Sequence, residues 1–239
     1  MSLGANDHSL QSAYASLSAQ ARPDGQAAVY AFVSPQTGCG TSYVARSMAM
    51  IAANNMQQGG QVLLVDMDLQ GNAQSAYFFS PESQTQYGAP QGPYDATMGA
   101  DPFWRVTPFM VNADGQSISD NHFMSMHLLP GAPLAFTHFH WETFKPGQNV
   151  QVQNARSFWQ NARARFSAIF VDTPALDRSD VLGAICPEAD TSILISSQSR
   201  AQDLALKDAM GRIQASGGRC AGVILNDGPA GGYGYGGSA

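Results

Sequence analysis

Lysine is almost absent from this sequence. Lysine and arginine together number 12, of which only Lys145 and Lys207 are lysines, and 18 acidic residues bring the formal net charge to -6. Binding to nucleic acid needs a clustered basic face, because affinity for the phosphates comes largely from counterion release. The scarcity of lysine also leaves the sequence without a polybasic segment that would bind an anionic membrane surface. The composition therefore predicts no nucleic-acid partner.

Cysteine is also rare, and long apolar runs are missing. Cys39, Cys186 and Cys220 are an odd number of cysteines without ligand-like spacing, which indicates reduced thiols and not disulfides or a zinc site. No apolar run approaches the ~20 residues that span a bilayer, and the first residues do not resemble a signal peptide. We therefore expect a cytoplasmic protein without direct membrane insertion.

Apolar runs alternate with helical patterns along most of the chain. Residues 27–33, 62–66, 168–172, 192–196 and 221–226 have the character of strands buried on both faces of a sheet. Strands that alternate with helices favour parallel pairing through right-handed crossovers. The sequence therefore predicts an α/β fold, with a doubly wound, mostly parallel sheet flanked by helices in three layers.

The middle and the end of the chain break this alternation. Residues 80–153 are rich in Pro, Gly, Gln and aromatic residues, and we predict an irregular, variable segment with one strand at 126–129. Residues 229–239 are dominated by glycine, and we expect them to be disordered because little in them can pack. The prediction is one domain over residues 1–228 and a disordered tail.

A glycine-bearing turn joins the first predicted strand to the next helix. Residues 34–42 read SPQTGCGTS, and Gly38 and Gly40 would let backbone N–H groups turn inward around a phosphate. The N-terminus of the helix behind them favours an anion. A tight turn that binds nothing would carry the same glycines, so the pattern alone leaves both interpretations open.

Three acidic residues come at the ends of two other predicted strands. Asp66 and Asp68 end the second apolar run, and Asp172 ends the third. Ligands of open parallel sheets bind at the carboxyl ends of the strands, where a hydroxyl and carboxylates can hold magnesium beside a nucleotide. We predict that Ser42, Asp66 and Asp172 hold Mg²⁺ if a nucleotide binds. The alternative is that these acids cap helices or pair with arginine.

These motifs, in this order, resemble the MinD/ParA-type P-loop ATPases. Within that group they are most similar to the cytoplasmic domains of bacterial tyrosine kinases of capsule and exopolysaccharide synthesis. Residues 38–42 resemble the phosphate loop, residues 62–68 the second acidic motif and residues 169–174 the Walker B motif. The runs MHLLPGAP and CAGVILND resemble the segment after the variable middle and the final strand. The likeness covers residues 8–228.

The resemblance implies a site for ATP or ADP with magnesium. The nucleotide would contact the phosphate loop and, through its adenine, the asparagine of the final strand. The corresponding residues of this chain are Gly38, Cys39, Gly40, Thr41, Ser42 and Asn226. If the protein is an active ATPase or protein-tyrosine kinase, Asp66 and Asp68 would take part in catalysis.

The phosphate loop departs from the family at its lysines. Thr41 stands where the family has the lysine that bridges the β- and γ-phosphates, and Gln36 where MinD/ParA proteins have a signature lysine. A neutral side chain cannot neutralise the charge that develops in phosphoryl transfer. Losing a preorganised contact of this kind costs roughly 10²–10³ in rate. We therefore expect no efficient catalysis.

The implied function is that of a weakly active or inactive relative of the exopolysaccharide tyrosine kinases. Its partner would be a polysaccharide co-polymerase or another assembly protein of the inner membrane. The resemblance is also compatible with a homodimer. The alternative is a MinD/ParA-like ATPase that positions a pilus or secretion machinery, because Asp68 opens a DLQGN run similar to that of partitioning ATPases. An active enzyme with an atypical loop is a third interpretation.

The segment with several histidines has an ambiguous pattern. His138 and His140, near Glu142, His122 and His127, would share one face only on a strand. Such a group could bind a metal ion. Histidines in polar, aromatic segments are more often solvated or hydrogen-bonded, so we predict no metal ligands here.

Two tyrosines lie in the glycine-rich tail. Tyr233 and Tyr235 resemble the C-terminal tyrosine cluster that the kinases phosphorylate in trans. They are candidate phosphoacceptors, and a low-complexity tail with two incidental tyrosines is an equally weighted alternative.

Overall fold

The computed structural model describes residues 5–19, 22, 24–57, 59–109, 119–197 and 203–226, and only the backbone of residues 5–8 and 203. The helices are α1 (Ala5–Ser18), α2 (Thr41–Asn54), α3 (Ala73–Phe78), α4 (Pro81–Tyr87), α5 (Arg156–Arg165), α6 (Leu182–Ile185) and α7 (Asp203–Ala215), with 3-10 helices η1 (Asp120–Phe123) and η2 (Trp141–Thr143). The strands are β1 (Ala28–Val33), β2 (Val62–Asp66), β3 (Gln91–Asp95), β4 (Trp104–Thr107), β5 (Met124–Leu128), β6 (Leu134–Phe139), β7 (Asn149–Val152), β8 (Ala168–Asp172), β9 (Thr191–Ser196) and β10 (Cys220–Leu225).

Eight of the strands form one sheet in the order β10-β9-β1-β8-β2-β6-β5-β3. The strands from β10 to β6 pair in parallel, and they include the five strands that the apolar runs predict. Strand β5 is antiparallel to both β6 and β3. The predicted fold class, a mostly parallel sheet flanked by helices, is therefore confirmed.

Two apolar cores cover the two faces of the sheet. Successive side chains of a strand point to opposite faces, so Tyr30 and Phe32 of β1 join the core that contains apolar residues of α2. Val29 and Ala31 join the core that contains those of α5. Full burial of a large apolar side chain stabilises a fold by about 1.5–3 kcal/mol. This packing on both faces holds in place the strand ends that carry the candidate site.

Residues 80–153 are more regular than the sequence predicts. The strand predicted at 126–129 corresponds to β5, but the prediction that the rest is irregular is wrong, because this region also contains α4 and the strands β3, β4, β6 and β7. Strand β6 lies beside β2 and extends the central sheet, and β4 pairs with β7 in a separate ribbon. The sequence of β3, QGPYD, is exposed along its whole length and lacks the apolar alternation that marks a strand.

No helix within the described ranges combines the length and apolar character of a membrane span. Tyr233 and Tyr235 lie outside the described residues. The division into one domain over residues 1–228 and a disordered tail stays a prediction.

Candidate functional site

The turn between β1 and α2 has the backbone geometry of an anion-binding loop. Gly38 and Gly40 have φ angles of 84° and 82°, in the left-handed region that favours glycine. Helix α2 begins at Thr41, directly after Gly40, and no side chain caps its N-terminus. The first N–H groups of a helix have no partner within it. In this turn they are available to a ligand.

Two contacts from other loops hold the turn in place. The backbone N–H and the hydroxyl of Thr37 donate to the two carboxylate oxygens of Asp177, each over 2.9 Å. The Asn226 amide donates to the Cys39 carbonyl over 3.1 Å. A Cβ atom on Gly40 would fall on the Asn226 amide nitrogen. Asn226 thus packs against the turn itself, and its contact with adenine stays a prediction.

The structure brings Ser42, Asp66 and Asp172 together. Asp66 and Asp172 are register partners at the carboxyl ends of β2 and β8, and both are buried. The Ser42 side chain lies close enough to the Asp172 carboxyl to lower its pKa. The three side chains therefore occupy the position beside the turn that the motif order predicts for a magnesium site.

Burial governs the charge of the two acids. Loss of hydration raises the pKa of Asp66 well above its usual value, and the neighbouring Asp172 raises it further. Burial likewise raises the pKa of Asp172 to about 6, against the opposing effects of the nearby Ser42 side chain and of the hydrogen bond from Gln74. Two carboxyl groups this close share a site unfavourably when both are ionised. The pair therefore favours a bound proton or a bound cation.

Gln74 links the turn to both acids, and sequence analysis missed it. Its backbone N–H donates to Asp66 over 3.1 Å. Its side-chain amide donates to the Ser42 carbonyl over 3.0 Å and to Asp172 Oδ2 over 2.7 Å. The side chain is fully buried at the start of α3. Only the fold brings α3 to this position, so no local pattern identifies Gln74.

Two arginines supply the positive charge near the acids. Arg178 forms an ion pair with Asp68, and Asp68 also accepts from the Gly71 N–H over 3.2 Å. Arg46 of α2 donates to the Gln74 side-chain oxygen over 3.2 Å and lies 3.9 Å from the centroid of the Tyr77 ring. Burial lowers the pKa of Arg46. Both arginines were missed by sequence analysis because they lie outside the motifs.

The residues present fit a magnesium ion. Asp172 Oδ1 is buried without a hydrogen-bond partner among the described residues, and the Ser42 hydroxyl lies near the same carboxyl group. Buried polar atoms are rarely left unpartnered in folded proteins. A hydroxyl and carboxylates are ligands that Mg²⁺ accepts beside phosphates. Next to this position, a cavity of about 410 Å³ is lined in part by Asp68, Gln70 and Arg178.

The histidine segment lies on the strand next to β2, where the Thr137 hydroxyl accepts from the Asp66 N–H over 2.9 Å. His138 is on β6 and His140 follows its end, so the two alternate positions face the same side. Ser125 of β5 lies between His127 and His140, at 2.9 and 2.8 Å from one ring nitrogen of each. The exposed His122 is not part of this group.

The comparisons with known proteins concern the fold. No protein-family model and no curated protein sequence matches this chain. Solved structures similar to it include the kinase domain of the Escherichia coli tyrosine kinase ETK, at 14% identity and a TM-score of 0.60, covering 92% of this chain and 74% of that one. The VpsO kinase domain has 17% identity and a TM-score of 0.56 and covers 92% and 95% of the two chains.

The BceF tyrosine kinase domain is a third similar structure, at 17% identity and a TM-score of 0.57, with 92% of this chain and 76% of that chain covered. Identities this low establish a shared fold and leave the chemistry to the residues of each chain. The chain therefore has the P-loop fold of bacterial tyrosine kinase domains.

Proposed function

We propose that this protein binds ATP or ADP with magnesium at the turn before α2 and transfers phosphoryl groups poorly or not at all. The observation that carries the proposal is Asp172 Oδ1, which lies near Ser42 at the start of α2 and has no hydrogen-bond partner in the part of the chain that the structure describes. The backbone N–H groups after Gly40 would bind phosphate oxygens. Ser42 and Asp172 would hold the ion, which neutralises phosphate charge when bound.

Weak transfer follows from the charges around the turn. Thr41 is neutral, and the two nearby arginines have other partners. Arg178 is paired with Asp68, and Arg46 is held by Gln74 and Tyr77. With these partners, neither guanidinium is placed to stabilise the charge that develops on a transferred phosphoryl group. We expect ATP turnover far below the ~1–100 s⁻¹ of ordinary kinases.

Calorimetric titration with ATP and ADP, with and without magnesium, tests binding. We expect nucleotide affinity that depends on magnesium, and Asp172→Asn should remove that dependence. Thr41→Lys should raise affinity or turnover, because it restores the missing charge. Absence of binding in both the wild type and Thr41→Lys would show that the turn is structural only.

In the cell, we propose a role as a cytoplasmic partner of an inner-membrane polysaccharide co-polymerase. The support is the shared fold with tyrosine kinase domains, together with a phosphate loop that lacks lysine. Conformation, and phosphorylation of Tyr233 and Tyr235 by another kinase, would be the signals. Phosphotyrosine mapping after incubation with ATP and magnesium tests this: self-phosphorylation that Asp66→Ala abolishes would identify an active kinase.

The positioning-ATPase alternative draws on the DLQGN run. In the structure this run has a local role, because both amide atoms of Asn72 bond to the Phe139 backbone, over 2.6 and 3.1 Å. The run thus serves the junction of β2 and β6 and does not by itself favour partitioning. Neighbouring genes decide between the two: glycosyltransferase genes would support the polysaccharide role, and pilus genes the positioning role.

A further inference from the structure

The antiparallel edge of the sheet gathers imidazoles and a carboxylate on one face. The register of β5 and β6 places Ser125 opposite His138, and His140 lies two residues further along the same face. Glu142 follows in the 3-10 helix η2. Residues that are separate in sequence therefore meet where β6 ends, one strand away from the acid-bearing end of β2.

The three side chains have the spacing of a metal-ligand set. Ligand atoms of His138, His140 and Glu142 all lie within 4.8 Å of one another, and His140 Nδ1 is 2.7 Å from Glu142 Oε1. Ligands at 2.0–2.2 Å from a tetrahedral zinc ion lie about 3.3 Å apart. Small rotations of the His138 and Glu142 side chains therefore suffice to close a site around one ion.

Ser125 orients His140 in the way that outer partners orient metal-bound imidazoles. Its contacts allow two proton arrangements. In one, His140 Nε2–H donates to Ser125 Oγ over 2.8 Å and the hydroxyl donates to His127 Nε2 over 2.9 Å. In the other, both donations are reversed and His140 Nδ1–H donates to Glu142 over 2.7 Å. The first arrangement turns the lone pair of His140 Nδ1 towards the Glu142 carboxylate, and it is the arrangement that a metal ion would select.

A second feature separates this group from ordinary solvated histidines. His138 Nδ1 is buried without a hydrogen-bond partner among the described residues, and the Phe79 ring packs edge-on against His138 at 5.6 Å.

We propose that His138, His140 and Glu142 bind one zinc-class divalent ion, with Ser125 as the positioning residue for His140. Two imidazoles and one carboxylate favour zinc over magnesium, which prefers oxygen ligands. Three protein ligands leave the fourth position of a tetrahedral ion to water or to a partner group. The ion would fasten the end of β6 to η2, and its ligands are different residues from those of the candidate nucleotide site.

Titration of tag-free, chelator-treated full chain with Zn²⁺ alone tests the site. We expect one ion bound per chain and a Tm that rises with zinc concentration. His138→Gln and His140→Gln should each abolish this site, and Ser125→Ala should weaken it by about 10- to 100-fold, as removal of an outer partner does. Circular dichroism of the metal-free variants shows whether each one folds.

Two matched variants identify the site. His122→Gln removes an exposed histidine that lines the same cavity as Ser125 and His140 but does not belong to the ligand set, and Asp172→Asn removes a carboxyl from the other site. Both should bind zinc as the wild type does. The proposal is overturned if zinc does not bind stoichiometrically, if binding survives both histidine substitutions in folded protein, or if Asp172→Asn is the variant that loses it.

Discussion

The sheet contains two groups of titratable side chains, and burial shifts the pKa values of the two groups in opposite directions. At the carboxyl ends of β2 and β8, burial raises the pKa values of Asp66 and Asp172. On β5 and β6, burial lowers the pKa values of His127, to about 4, and of His138. In both groups the neutral form is favoured, because a charge loses its hydration inside the sheet. Ionising either group therefore costs more free energy than it does in water.

The two groups differ in how the chain assembles them. The acids lie at equivalent ends of parallel strands, so any sequence with this strand order brings them together. The histidines meet through an antiparallel register, in which a shift of one residue would turn their side chains to the other face. The first group is a property of the fold, and the second depends on the pairing of β5 with β6.

The largest effect should come from Phe136, which joins the two regions. Phe136 is fully buried on β6, between parallel β2 and antiparallel β5, and its ring packs against Phe78 at 4.8 Å and against His127. Phe136→Ala should cost about 3–5 kcal/mol of unfolding free energy. Denaturant unfolding measures the loss, and hydrogen exchange should show β5 and β3 losing more protection than β1 and β8.

Phe109→Ala is the control for this substitution, because the Phe109 side chain is exposed. It should change stability little. Equal loss of protection in all strands of Phe136→Ala would contradict the view that β6 is the junction between two separable regions.

The next effect concerns the raised pKa of Asp172. Its carboxyl keeps its proton up to pH about 6 in the folded state, against a usual pKa of 3.8, so ionisation costs stability as pH rises through this window. Asp172→Asn should therefore stabilise the protein by about 1–3 kcal/mol above pH 6. The gain should vanish towards pH 4, where the carboxyl is protonated in both states. Unfolding at a series of pH values measures it.

Asp177 gives the opposite sign and serves as the control. Hydrogen bonds from Thr37 lower the pKa of Asp177, so its carboxylate contributes stability that is lost as pH falls. Asp177→Asn should destabilise the protein at neutral pH and not in acid. If both substitutions changed stability in the same direction at neutral pH, burial would not be what sets the charge of Asp172.

The parallel part of the fold could be predicted from the sequence. Strands β2 and β8 have the bounds that their apolar runs predict, and their terminal acids meet as the motif order requires. Continuous apolar runs are distinctive, because only strands buried on both faces need them. Helix α2 begins at Thr41, two residues before the helical composition suggests, because glycine-rich helix starts leave little local signal.

The antiparallel edge and the polar links of the site could not be predicted in this way. The β6 sequence, LAFTHF, mixes apolar and polar residues and follows a Pro- and Gly-rich turn. Gln74, Arg46 and Arg178 reach the acids through tertiary packing. Their sequence positions carry no periodic signal, so only the assembled fold identifies them.

A smaller effect should arise where Asn226 packs on the turn. Gly40→Ala should lower the free energy of unfolding by about 1–2 kcal/mol, because alanine is strained in the left-handed backbone conformation of this position. The loss should be larger still, because the new Cβ displaces the Asn226 amide. Gly59→Ala is the matched control, since Gly59 has a φ of 88° and open space around its Cβ position. The unfolding free energies of the two variants give the extra loss that the clash with Asn226 causes. Adding Asn226→Ala to Gly40→Ala should remove most of this extra loss. If the losses of the two substitutions simply add, the contact between Gly40 and Asn226 is contradicted.

The smallest effect should be at the start of α4, which contrasts with the start of α2. Ser80 caps α4 by accepting from the Ser83 N–H over 3.2 Å, whereas Gly40 gives α2 no side-chain cap. Ser80→Ala should cost about 1 kcal/mol in denaturant unfolding, and Ser80→Gly only a few tenths. The proposed phosphate site is at the start of α2, so a bound nucleotide should not depend on the cap of α4. ADP with magnesium should therefore raise the Tm of wild type and Ser80→Ala by the same amount. A smaller ligand-induced rise in Ser80→Ala would mean that the α4 region also takes part in nucleotide binding.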